Sequence, residues 1–308
     1  MIRLLLSFFL LLTFNVKAYD YQLSIAAIFQ DEARFLREWI EYHHLVGVNH
    51  FYLYNNNSTD NYKEVLQPYI DIDLVELIEW PSDQSSIPTE KKRNHFIFET
   101  QCGAFNDALA RSRHKTKWLA LLDSDEYIVP TIHNTITECL EDHFSQKAGV
   151  CAYWKCFGTS YYEKVQPNEW MIEKLFLSMS NTEYYNTYFK CIVKPEFVRT
   201  CPNPHICIYL PGYDHVKTNG NPVPIHQIHD DPCWDLLYIN HYWTRDEDHF
   251  RNVKIPRQER WGQACVDQAY ILYNLMNVEE DYTIQRFLPA LKEKCLFKIP
   301  NEQNGKVD

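Results

Sequence analysis

The chain has 308 residues, 45% of them hydrophobic, enough for one large domain or two small ones with a core. Its formal net charge of −11 argues against a nucleic-acid binder, which needs a basic face. With only 8 glycines and no G-x-G-x-x-G or G-x-x-x-x-G-K-[ST] run, a glycine-cradled phosphate loop is not expected either.

Met1 to Ala18 opens with Arg3, an apolar run from Leu4 to Phe14, and small residues before Tyr19. It reads as a signal peptide, with an uncleaved signal anchor as the alternative; a membrane association is expected only through this segment. Ser24–Phe29 reads as a buried strand. The next segment places Phe35, Leu36, Trp39, Ile40 and His43 at helical spacing, with Gly47 as a stop. A second strand carries Phe51, Leu53 and Tyr54, and Asn55 to Asp60 is a turn cluster. A short helix is expected over Tyr62–Tyr69, ended by Pro68. A third strand covers Leu74–Ile78, a polar loop Ser82–Glu90, a long helix His95–Ser112, and a fourth strand Trp118–Leu122.

That alternation predicts an α/β fold with a parallel, doubly wound sheet and ligands at the carboxyl ends of its strands. Beyond Pro130 the pattern loosens. Strands are expected at Val150–Phe157, Phe189–Val193 and Tyr238–Trp243, and helices over Gln268–Lys294. A boundary near residue 130 divides a nucleotide-binding half (20–130) from an acceptor half (131–308) sharing one core. The 10 cysteines are even in number and open to two readings: disulfides such as Cys201 with Cys207, or buried thiols.

The chemistry concentrates in WLALLDSDEYIVP. An apolar strand ends in Asp123, Asp125 and Glu126, and like charges so close repel unless a cation sits among them. Asp123 and Asp125 are spaced to hold a hard divalent ion, Mn²⁺ or Mg²⁺, that takes further ligands from substrate phosphates. A solvated acidic loop is the plain alternative. Glu126 is expected to support that shell.

At this point the sequence resembles glycosyltransferase family 92 and related family 2-like transferases of the GT-A fold. DEARFLREWIEYHHLVGVNHFYLYNNNSTD resembles the family's opening, and FNDALARSRHKTKWLALLDSDEYIVP its metal-binding block. WKCFGTSYYEK, FKCIVKPEFV and INHYWTRDEDHFRNVK resemble three later motifs, in the right order. Arg245-Asp246 stands where Lys-Ser is usual, and Gln30-Asp31 where Lys-Asn is.

The resemblance implies a GT-A mixed sheet flanked by helices, and metal-dependent transfer of a sugar, plausibly galactose, from a UDP-linked donor to a glycan. His241 resembles the late histidine that completes the metal site with Asp123 and Asp125. Asn55 is placed to read the base edge, and Asp31 the base or ribose, although a β-turn and a helix cap explain them too. Arg245, Arg251 and Lys254 form a basic run suited to clamping phosphate, or simply a solvated helix face. An inverting transfer needs a base, for which Glu163, Asp230 and Asp231 are the candidates. Trp154, Phe157, Tyr161 and Tyr162 are candidates to stack on an acceptor sugar, although core packing explains Trp154 and Phe157 equally well; His205 and His215 are weaker site candidates that surface or structural roles explain better. Two rival classes stay open: a non-catalytic sugar-binding module, and a phosphoesterase, which would show more metal ligands. A secretory lumen fits both the leader and the donor.

Overall fold

The computed structural model describes residues 18–224 and 227–296. The expected leader lies outside the described residues, Ala18 apart. Among the described residues, no helix is long and apolar enough to cross a membrane.

YQLSIAAIF forms β1 (Tyr21–Phe29), and its last seven residues are buried. A strand that is apolar on both faces belongs in the middle of a covered sheet. β1 pairs in parallel with β2 (His50–Asn55) and β4 (Thr116–Asp123), and β2 in turn with β3 (Val75–Glu79). The crossovers are helical: α1 (Ala33–Leu45), α2 (Tyr62–Asp71), and α3 (Thr89–His95) running through a π-turn at Phe96–Gln101 into α4 (Cys102–Ser112). The register aligns Phe29 with Asn55, Asn55 with Glu79, and Ile28 with Asp123. The carboxyl ends of four strands therefore meet at one edge.

Two expectations change here. Pro68 does not end α2 but stands in its last turn, while Leu66 and Tyr69 stay buried against the core. The long helix begins at Thr89 rather than His95, and Phe98 within it is exposed.

The remaining strands are β5 (Glu126–Pro130), β6 (Gly149–Cys156), β7 (Leu177–Ser178), β8 (Phe189–Val193), β9 (Val198–Asn203), β10 (Ile206–Tyr209), β11 (His215–Lys217), β12 (Leu237–His241) and β13 (Glu279–Glu280). The main sheet runs β3-β2-β1-β4-β8-β6-β12-β5, with β11 beside β6. The sheet is mixed rather than all parallel, because β8 is antiparallel to both β4 and β6, and β5 is antiparallel to β12. The sheet continues without a break across residue 130, and one hydrophobic cluster extends from Leu23 to Leu291. A second cluster on the other face includes Phe105 and Leu109 of α4 and Cys201 and Cys207 of the β9–β10 hairpin. All ten cysteines are free thiols, so the Cys201–Cys207 disulfide is not formed in this structure.

Candidate active site

β4 delivers Asp123 to the sheet edge, a tight turn carries Ser124 and Asp125, and the chain returns as β5 from Glu126. Opposite Glu126 in the register stands His241, the last residue of β12. This pairing brings together residues more than a hundred apart. Ligand atoms of Asp123, Asp125 and His241 all lie within 4.8 Å of one another. His241 Nε2 is 3.4 Å from Asp125 Oδ1, close to the ~3 Å edge of an octahedron with bonds of about 2.1 Å. Asp125 Oδ1 is buried without a hydrogen-bond partner. A buried, unspent carboxylate oxygen beside an imidazole and a second carboxylate fits a hard divalent cation.

The chain already places positive charge here. Lys190 on β8 is fully buried, with Nζ 3.0 Å from Asp123 Oδ1 and 3.7 Å from Glu126 Oε1. Burial works against its charge, but the two carboxyl groups more than offset this and hold its pKa above the usual lysine value. Lys254 Nζ lies 3.3 Å from Asp125 Oδ2. Burial alone would raise the Asp125 pKa, yet Lys254, His241 and Arg245 hold it well below the carboxylate range. Glu126 goes the other way: burial, with the charges of Asp123 and Asp125, pushes its pKa well up despite Lys190. Its Oε2 accepts from the Asp123 backbone N–H, at 2.9 Å.

Two π-turns supply side chains to the two aspartates. The first ends at Gln101, whose Nε2 donates to Asp123 Oδ1 at 2.5 Å. The second, Phe250–Lys254, ends at the lysine that meets Asp125. Such bulges insert one residue into a helix and re-aim the side chains beyond it.

A cavity of about 700 Å³ opens over these groups. One wall carries Gln30, Asn56, Asn57 and Ser82 from the parallel half. Its basic lining is Lys92, Arg93, Lys190, Lys254, Arg257 and Arg260. The opposite wall is aromatic: Trp154 packs against His241 with ring centroids 4.2 Å apart, and against Tyr188 and His205 at 5.5 and 5.1 Å. His205 Nδ1 is 2.8 Å from the Phe189 carbonyl, and burial with the nearby Lys190 charge lowers its pKa to about 4. It is neutral at pH 7, and Nε2 is the ring atom left for other contacts.

Several expected residues stand elsewhere. Arg245 does not reach the cavity: it is buried behind the turn, donating to the Ser124 carbonyl at 2.6 Å and to Glu32 at 3.2 Å. Arg251 points outward and pairs with Glu163 and Glu247. That pairing also takes Glu163, which is 74% exposed, out of the cavity. Asp230 is tied to Lys217 at 2.7 Å, and neither it nor Asp231 lines the cavity, although Ile228 does. Asn55 is buried, bonded to Tyr62, Glu79 and the Ser58 N–H; its neighbours Asn56 and Asn57 take the wall position instead. The Asp31 carboxylate accepts from the Thr59 N–H at 2.7 Å, while Gln30 and Glu32 on either side line the cavity. Of the four aromatic candidates only Trp154 faces it; Phe157 is core, Tyr161 is solvent-exposed, and Tyr162 bonds Glu169.

Missed from sequence were Lys190, Gln101, Arg257 and Arg260. Lys190 left a signal, a lone charge inside the apolar run FKCIV, since buried charges need partners.

A mixed sheet whose parallel half presents an aspartate pair to a basic cavity is the GT-A arrangement that the sequence led us to expect. The family model described as "Glycosyltransferase family 92" matches residues 19–261, and the chain belongs to this family. It is 27% identical to a glycosyltransferase family 92 protein of Oryza sativa subsp. japonica over 75% of this chain and 35% of that one. It is 26% identical to a β-1,4-galactosyltransferase of Caenorhabditis elegans over 58% of this chain and 41% of that one. Each match thus spans less than half of the relative's length. Among solved structures, Staphylococcus aureus TarS residues 1–349 align with a TM-score of 0.36 and 12% identity, covering 82% of this chain and 70% of that one.

Proposed function

We propose that this transferase moves a hexose, galactose first among them, from a UDP-linked donor to a hydroxyl of a glycan, with a divalent cation at Asp123, Asp125 and His241. The observation that carries the reading is the convergence of these three ligands on one point at the floor of the basic cavity. Bound there, Mn²⁺ or Mg²⁺ would offset the charge that builds on a leaving diphosphate.

The chain's own residues do the rest. Arg257 and Arg260 meet the donor's phosphates at the rim, and Lys190 and Lys254 raise the positive potential beneath them. Asn56 and Asn57 lie on the wall where a base would sit, each offering donor and acceptor. Trp154 and Tyr188 present flat faces to an acceptor sugar. The C. elegans relative's name supports galactose as the sugar, and the expected leader supports a secretory lumen as the place.

The test is turnover of a panel of UDP- and GDP-sugars with manganese, comparing the wild type with Asp123→Asn. We expect UDP-galactose to be used and the variant to fall by about three orders of magnitude, the scale of losing a principal charge-stabilising group. Circular dichroism checks that the variant is folded. Full turnover by a folded Asp123→Asn protein would refute the cation's role.

A further inference from the structure

A second group of ligand atoms lies on the other face of the sheet, apart from the aspartates. Cys151 on β6 and Cys191 on β8 are register partners across the antiparallel pair. β11 runs beside β6 and brings His215 to them. The two Sγ atoms and a ring nitrogen of His215 lie within 4.8 Å of one another, and all three residues are buried. From β10, Cys207 reaches Cys191 with its thiol. The Cys191 sulfur also lies 3.5 Å from the His205 carbonyl.

Apolar packing explains buried thiols but not the imidazole. His215 is 4% exposed, and its Nδ1 has no hydrogen-bond partner. An unspent buried nitrogen is destabilising, and a ligand would relieve that cost. A disulfide between Cys151 and Cys191 would leave that nitrogen as it is. In a tetrahedral zinc site, bonds of about 2.3 Å to sulfur and 2.0 Å to nitrogen set ligand atoms roughly 3.5 Å apart. The three atoms need to draw together by no more than about an ångström to reach that spacing.

We propose that Cys151, Cys191 and His215, with Cys207 as the fourth ligand, form a structural site for a soft, thiophilic cation of the zinc type. Sulfur donors separate it from the aspartate site, whose oxygen donors suit a hard ion. Binding leaves each coordinating thiol as a thiolate and releases one proton per thiol. The site joins the central strands β6 and β8 to β11 and to the β9–β10 hairpin, and so fixes the segment that holds His205 on the cavity wall. It depends on none of the residues assigned to the donor.

The test is metal analysis of the full chain, purified under reducing conditions and dialysed against EDTA. We expect about one zinc per chain, retained equally in Asp123→Asn/Asp125→Asn. Replacement by cobalt should give a thiolate-to-metal charge-transfer band that Cys191→Ser abolishes, and His215→Gln should weaken zinc binding by about tenfold or more. The wild-type analysis stands even if Cys191→Ser does not fold. Three results would overturn the proposal: no zinc taken up by the reduced protein, a Cys151–Cys191 disulfide mapped in the unreduced protein, or zinc lost with the aspartates rather than with Cys191.

Discussion

Lys190 Nζ stands 3.0 Å from Asp123 Oδ1, fully buried, beside the cation site proposed above. The ammonium and a divalent ion bound there would compete for one carboxylate. At an effective dielectric near 20, a like-charge contact at about 5 Å is worth several kcal/mol. Lys190→Gln should therefore bind manganese at least about tenfold more tightly, while donor turnover falls as the local potential drops. Titration of the ion by electron paramagnetic resonance reads the first effect; weaker ion binding in the variant would show that Lys190 supports the cation rather than competing with it.

Arg245 and Arg251 are six residues apart and have opposite fates. Arg245 bonds the Ser124 carbonyl and Glu32 from a fully buried position. Arg245→Met removes those bonds and leaves Glu32 with less compensation, for about 3–5 kcal/mol of stability. Arg251→Ala removes an exposed, solvent-screened pair with Glu163 and should leave stability almost unchanged and turnover altered by less than about twofold. Urea titration and UDP release measure both. A large loss of activity in Arg251→Ala would return that residue to the donor site.

At the rim, Arg257 donates to the Gln30 carbonyl at 2.7 Å and lines the cavity. Arg257→Ala should raise the KM for the nucleotide-sugar donor by about ten- to a hundredfold, the cost of a charge-assisted bond to phosphate, with a smaller change in kcat. Steady-state kinetics at saturating acceptor decide it; an unchanged donor KM would place the phosphates elsewhere.

The alternating half of the fold was legible because local signals set it. Apolar runs, helical spacing and the Asn55–Asp60 turn marked β1 to β4, and Phe189–Val193 was placed residue for residue. β5 was not, because its partner β12 lies more than a hundred residues away and no local pattern announces that pairing. Asp123, Asp125 and His241 were legible as residue types at strand ends. The π-turns that deliver Gln101 and Lys254 were not, since a one-residue bulge leaves helical periodicity almost unchanged. Arg245, Arg251 and Lys254 looked alike as a basic run. Only packing could sort one behind the turn, one outward and one into the cavity.

The last prediction concerns His43, which ties α1 to β5. Its Nδ1 is 2.9 Å from the Trp39 carbonyl, and its Nε2 accepts the Ile128 N–H at 3.2 Å. Both contacts require the neutral ring with the proton on Nδ1. Burial lowers its pKa to about 3, against the opposing pull of the Trp39 carbonyl. Below the ordinary value of 6.5 the unfolded chain takes a proton that the folded one refuses, so stability is lost as pH falls from 6.5 towards 3. One proton gives a slope of about 1.4 kcal/mol per pH unit. Glu38 on the same helix has the reverse linkage, because burial raises its pKa to about 7 and its contribution fades as pH rises from 4.5 to 7. The two slopes oppose each other between pH 4.5 and 6.5, so the wild-type curve alone hides them. In urea titrations across that window, His43→Gln should expose the Glu38 slope, with stability falling as pH rises, and Glu38→Gln should expose the His43 slope, with stability rising. Parallel curves for the wild type and both variants would mean that neither group carries the linkage.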